Sequence, residues 1–264
     1  MKLCIPILYK KETYTDIEIT KPKAGVIADT QEEFQEKTPY HGIHKLISGS
    51  VVSISNEEGK TIDNRAEIIT ATKQLAYQAA EQVGLQIMLS INKNDKIETM
   101  NECPRCGHKY VSEDDGFLKD LPVVYLEEYA VLHFDLEDPI QIKNKATEEI
   151  LHDISSFDMR YPTLNDCIDG TLRARSPGAI KGQYAIYAAA IVNINTELVD
   201  MKWKKTWGEW FVNNLSFDSL RGIGRAMQKY GYDMSIDEIC IKCKKEFKSS
   251  VDTSSFFESG LQPE

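Results

Sequence analysis

Apolar and polar residues alternate over the first twenty positions. Leu3, Ile5 and Ile7, then Ile17 and Ile19, keep a loose period of two, which fits a hairpin or two short strands. Pro22 suits the first turn of a helix whose apolar stripe is Val26, Ile27 and Phe34. Pro39 opens a second helical stretch carrying Ile43, Leu46 and Ile47. Gly49 weakens it before the β-branched run Val51-Val52-Ser53-Ile54, and residues 57–60 read as a turn. From Asp63, a good N-cap, to about Ile91 the period is helical, as one helix or two, with Leu75, Ala79, Val83 and Ile87 on one face. The polar residues 112–116 mark the best boundary and divide the chain into a first module, 1–115, and a second, 116–264.

The second part opens with strand-like alternation at 123–125 and 131–136. A short helix is expected over 146–154 and another from Pro162. Residues 179–194 read as a helix running into a strand, with Ile180, Tyr184, Tyr187 and Ile191 at helical spacing. Aligned without gaps at an offset of 140, Pro22 meets Pro162, Asp29 meets Asp169, Gly42 meets Gly182 and Val52 meets Val192. Ile54 then meets Ile194, Glu57 meets Glu197, Leu75 meets Leu215 and Gly84 meets Gly224. The order of elements repeats as well: helix, helix ending in β-branched residues, turn, helix, then a CxxC knuckle. The expected fold is α+β and predominantly helical: two tandem duplicated modules joined by a Cys4, zinc-ribbon-like site.

The knuckles are Cys103-Pro104-Arg105-Cys106 and Cys240-Ile241-Lys242-Cys243, each with an aromatic residue four positions after its second cysteine, Tyr110 and Phe247. Corresponding cysteines are 137 positions apart, as are the two aromatics. Two thiolates two residues apart grip one face of a tetrahedral ion, and a closed site needs four ligands. The economical solution is one Zn2+ bound by Cys103, Cys106, Cys240 and Cys243. An iron centre of the rubredoxin type, and with it an electron carrier, would use the same four thiolates. A redox CxxC sits at a helix N-terminus after a strand, whereas turn-like or charged residues follow both pairs here.

The remaining chemistry reads more plainly. His41 and His44 have metal spacing but no third ligand, His108 is a neighbour of the knuckle, and His133 and His152 are isolated. Cys4 and Cys167 look like small buried side chains. Trp203, Trp207 and Trp210 fall on one side of a helix, either as core or as a docking face flanked by Lys202, Lys204 and Lys205. Arg173 and Arg175 suit a phosphate, a carboxylate or a solvated helix end. Phe256 and Phe257 near the end of the sequence would pin that segment to its own core or to a partner.

Composition narrows the partners. A net charge of −10 over 264 residues opposes a surface evolved to wrap nucleic acid or lie on anionic lipid, and 42% apolar residues is ample for a core. Six cysteines are too few for a disulfide scaffold, and the start of the chain is neither signal peptide nor membrane span, which points to a cytoplasm. No phosphate-cradling GxxxxGK[ST], no GxGxxG, no HExxH and no GxSxG is present, so the expectation is a protein that is not an enzyme.

The stretches KPKAGVIADTQEEF, YHGIHKLISGSVVSI and CIKCKKEFKSSVDTSSFF resemble tail-assembly and baseplate-hub proteins of contractile-tailed bacteriophages. The resemblance implies a non-enzymatic virion component or assembly factor, with a structural zinc on Cys103, Cys106, Cys240 and Cys243. Its partners would be other tail or baseplate proteins, met through Trp203, Trp207, Trp210, Phe256 and Phe257. It places the chain in a host cytoplasm during assembly. The alternative is a zinc-ribbon protein that binds nucleic acid or regulates, favoured by Lys242, Lys244, Lys245 and Lys248 and opposed by the overall charge.

Overall fold

The computed structural model describes residues 1–91, 97–114, 121–144, 146–173, 179–233 and 235–250. The first part runs β1 (Lys2–Tyr9), β2 (Glu12–Ile19), α1 (Ala24–Glu36), α2 (Pro39–Ser50), β3 (Val51–Ser55), β4 (Thr61–Ile62), α3 (Arg65–Thr72), α4 (Tyr77–Ile91), β5 (Ile97–Glu102) and β6 (Lys109–Asp114). After β7 (Val123–Val124) the order returns. It runs β8 (Leu132–Lys143), β9 (Ile150–Met159), α5 (Leu164–Arg173), α6 (Ala179–Ala190), β10 (Ile191–Ile194) and β11 (Glu197–Leu198). Then come α7 (Met201–Trp203), a π-helical turn (Lys204–Gly208), α8 (Glu209–Asn213), α9 (Phe217–Met227), β12 (Gly231–Tyr232), β13 (Ser235–Ile239) and β14 (Glu246–Ser250).

The strands form two four-stranded sheets, ordered β1-β2-β3-β4 and β8-β9-β10-β11, and three two-stranded ladders, β5-β6, β13-β14 and β7-β12. The expectation of a predominantly helical chain is therefore corrected: sheet and helix share the fold, and every strand pairing among the described residues is antiparallel. The helix expected over 146–154 is instead the start of β9. Bulges in the β8–β9 pairing break the alternation that would have announced it. The knuckle strands Ile97–Glu102 and Glu246–Ser250 are too short and too polar to carry a period at all. Residues 112–114, read as boundary, belong to β6, while 115 and 116 lie outside the described residues.

The repeat is visible at the level of hydrogen-bond register. Ile17 faces Ile54, Glu18 faces Ser53 and Ile19 faces Val51, so Val52 is bulged out. Phe157 faces Ile194, Asp158 faces Asn193 and Met159 faces Ile191, which bulges Val192 at an offset of 140. The hairpins repeat too. Between the pairs Lys2–Asp16 and Ile7–Tyr14 lie Leu3-Cys4-Ile5-Pro6, and between Asp135–Ser156 and Ile140–Ile154 lie Leu136-Glu137-Asp138-Pro139. Helix starts agree as well: α1 and α5, α2 and α6, α4 and α9 each begin 140 positions apart.

One apolar core runs through both sheets. Ile17, Ile54, Leu46, Val83 and Ile87 fill the first half, and Phe157, Ile194, Phe211, Ile223 and Met227 fill the second. The halves also share backbone. Ala76 and Thr163 form a β-bridge, Tyr77 N–H donates to Pro162 O (2.9 Å), and Leu164 N–H donates to Leu75 O (2.8 Å). Gln86 Nε2 donates to the Tyr232 hydroxyl (2.7 Å).

Candidate metal centre

Each knuckle is the turn of a two-stranded hairpin, β5–β6 in one case and β13–β14 in the other. Cys103 N–H donates to His108 O (3.0 Å) and Gly107 N–H to Cys103 O (2.9 Å). In the second knuckle Cys240 N–H donates to Lys245 O (2.9 Å) and Lys244 N–H to Cys240 O (2.9 Å). The turn closes through a left-handed residue in both, Gly107 at φ 65° and Lys244 at φ 57°. Closing the turn this way aims amides at sulfur: Cys243 N–H lies 3.5 Å from Cys240 Sγ.

The four cysteines converge. Cys103 Sγ is 3.6 Å from Cys243 Sγ and Cys106 Sγ is 3.7 Å from Cys240 Sγ, and all four sulfurs lie within 4.8 Å of one another. A metal–sulfur bond of about 2.3 Å puts tetrahedral sulfurs about 3.8 Å apart, so the cluster can hold one metal ion. Both of these approaches run between knuckles, and exchanging equivalent cysteines turns one close pair into the other, as a local twofold through the centre requires. The first cysteine of each knuckle is buried; Cys106 is exposed and Cys243 half-exposed.

The electrostatics want a cation. The Cys243 amide beside its sulfur brings the Cys240 thiol down to about 6. Burial works against ionising Cys103, yet the amides of Arg105 and Cys106 bring it below its ordinary value. Cys106 goes the other way, up to about 12: the His108 amide favours its thiolate, but loss of solvent and the three neighbouring sulfurs outweigh it. Four thiolates this close repel, and a divalent ion removes that repulsion.

Tyr110 ties the hairpins together by donating from its hydroxyl to Glu238 Oε2 (3.1 Å). The aromatic at 110 is visible in the sequence, but its partner across the ribbons is not, because their contact depends on how the hairpins meet. His108 stacks on Tyr110, ring centroids 6.0 Å apart, beside the four sulfurs.

The other singled-out residues lie elsewhere. His41 Nδ1 meets Thr38 Oγ1 (2.8 Å), and His44 donates from Nε2 to Ile69 O (3.1 Å). His133 sits between Asp158 (2.6 Å) and Asp135 (3.3 Å) on the β8–β9 surface, and the Asp158 carboxylate raises its pKa. Cys4 and Cys167 are buried thiols pushed up to about 12 by loss of solvent. Trp203 is buried against Phe211, Trp207 is partly buried and Trp210 is exposed, so the π-helical turn between them divides the stripe between core and surface. Arg173 ends α5; Arg175, Phe256 and Phe257 lie outside the described residues.

The sequence reading missed a largely buried ion pair. Arg160 forks onto both oxygens of Asp166, Nη2 reaching Oδ1 at 3.0 Å, while Asp166 accepts Thr163 N–H (2.7 Å) and Thr163 Oγ1–H (2.9 Å). The pair lies beside a cleft of about 120 Å³ between Pro6, Leu8, Gln74, Tyr129 and Tyr161. The signal was the T-x-x-D spacing of a capping box ahead of α5.

Among the described residues no helix is long and apolar enough to cross a membrane. No family model, curated protein or solved structure matches this chain.

Proposed function

We propose that Cys103, Cys106, Cys240 and Cys243 bind one structural Zn2+ that locks the ends of two copies of one module, 1–115 and 116–264. The observation that carries this reading is the set of four sulfurs at tetrahedral spacing, two from each half. The tight knuckle turns, with amides on sulfur, suit a closed site that holds its ion rather than an open one that presents it. Residue roles divide accordingly: the cysteines ligate, Gly107 and Lys244 shape the turns, and Tyr110 with Glu238 holds the hairpins in register. Metal analysis of the purified chain should give one zinc per molecule and a colourless protein. One iron and a red protein would replace zinc with a rubredoxin-like centre.

On this frame the protein is a non-enzymatic structural or assembly protein of a phage-type contractile tail, acting at the baseplate hub or during tail assembly. The support is the resemblance of residues 21–34, 40–54 and 240–257, together with one apolar core that runs through both halves. Metal ligation in small zinc domains adds about 10 kcal/mol to folding, and a surface ordered beforehand spares partners that cost on binding. Disrupting the reading frame in its encoding genome and imaging the particles tests it. Tailless heads or incomplete baseplates are expected, and intact tails would sink the proposal.

A second reading has its own observation. Lys242, Lys244, Lys245 and Lys248 are all exposed on the second hairpin, as a nucleic-acid-binding ribbon would have them. A gel shift that weakens steeply with salt would favour this reading, and no shift at low salt would remove it.

A further inference from the structure

The two halves differ where their repeat should make them alike, at the outer edge of the first strand of each sheet. In the first half that edge is closed by the chain itself. The N–H of Cys4, in the middle of the β1 bulge, donates to Gln82 Oε1 of α4 (2.7 Å), and Gln82 Nε2 returns a bond to Lys2 O (3.2 Å). Leu126 N–H donates to Cys4 O (2.7 Å), so a passing segment completes the closure. Cys4, Ile5 and Gln82 are all buried.

In the second half each of these parts is changed. The bulge Leu136-Glu137-Asp138-Pro139 repeats the bulge Leu3-Cys4-Ile5-Pro6, which puts Glu137 in the place of Cys4 and Asp138 in that of Ile5. Helix α9 repeats α4 at an offset of 140, so the place of Gln82 falls to Gly222. A Cβ added at Gly222 or at Gly224 would meet nothing within 4 Å. Among the described residues Glu137 makes no backbone bond outside the β8–β9 pairing, and Glu137 and Asp138 are exposed. Phe217, at the start of α9, is exposed as well.

We propose that this edge of β8, left without a glutamine at Gly222 of α9, docks an extended basic segment of a partner protein. A free strand edge offers N–H and C=O groups to an incoming strand, which is how sheets recognise extended peptides. The carboxylates of Glu137 and Asp138 beside the open peptide select lysine or arginine in that strand. The other occupants are poorer complements. A second copy would set Glu137 and Asp138 against their own kind, and residues 251–264 contribute Asp252, Glu258 and Glu264 with no lysine or arginine. The proposal stands on the repeat geometry and is independent of what the cysteines hold.

The test uses the full chain and a fluorescein-labelled peptide alternating lysine and valine, read by anisotropy, with a glutamate–valine peptide as counterpart. Saturable binding of the basic peptide alone is expected. Gly222→Gln, which restores the amide that closes the first half, should weaken binding at least tenfold, whereas Gly222→Ala should bind as the parent does. Glu137→Lys with Asp138→Lys should also lose at least tenfold. Undiminished binding to Gly222→Gln would overturn the proposal. So would amide exchange showing Glu137 N–H already protected in the free monomer, which assigns the edge to the chain's own segment. Protection that grows with protein concentration would assign it to a second copy and overturn it equally.

Discussion

Position 244 carries the clearest strain in the candidate metal centre. Lys244 turns the second knuckle at φ 57°, where Gly107 turns the first at φ 65°. A side chain at such an angle costs roughly 1 kcal/mol that glycine avoids. Lys244→Gly is therefore expected to stabilise the metal-loaded protein by about 0.5–1 kcal/mol, and Gly107→Ala to destabilise it by about 1 kcal/mol, both read from urea unfolding. His44 gives a pH signature. Burial lowers its pKa below 6.5 while its Nε2–H stays on Ile69 O. Above pH 6.5 both folded and unfolded chains hold it neutral. Below that, the unfolded chain takes up the proton first, so stability falls as pH drops toward the folded value. His44→Gln should flatten that slope, and an NMR titration should place His44 below 6.5. The cysteines were legible as residues, because ligand spacing is local. Tyr110 on Glu238 and His44 on Ile69 were not, because each contact joins positions that only folding brings together.

Among the elements, α5 depends on a cluster that reaches beyond the helix. Thr163 and Asp166 cap its first turn reciprocally, Asp166 N–H donating to Thr163 Oγ1 at 3.3 Å, and Asp166 also neutralises Arg160. Removing one partner of a buried pair leaves a charge without compensation, so Asp166→Ala should cost about 3–5 kcal/mol in equilibrium unfolding. A loss under 1 kcal/mol would show that solvent already satisfies Arg160. Element types followed their residues where a period ran long enough, as in α4, whose Ala79, Val83 and Ile87 are all buried. At the start of α3 the cap shifted by one residue. Asn64, not Asp63, accepts from Ala66 N–H and Glu67 N–H. The strands were harder. Bulges throw β8 and β9 out of alternation, and β5 and β14 lack an apolar face, so nothing in their composition opposes a helical or irregular reading.

For the molecule as a whole the candidate metal ties together parts that already touch. Shared core and the Ala76–Thr163 bridge hold the two sheets side by side without it. Chelation is thus expected to loosen the hairpins first. Amides of Cys103, Gly107, Cys240 and Lys244 should lose protection in hydrogen exchange, while those of β2, β3, β9 and β10 keep theirs. Complete unfolding on chelation would make the metal the main source of stability.

The sequence alone determined which side chains can ligate and that the chain repeats with an offset of 140, since ligand spacing and repeat period are both written along one dimension. It also determined the longer helices, such as α2 and α4, whose bonds close within four residues. Tertiary structure decided which sulfurs become neighbours, that Cys4 and Gln82 close one sheet edge, and that Gly222 stands where the second half would need that glutamine. Those are contacts across tens to more than a hundred residues, and their geometry exists only once the sheets have set their register and packed.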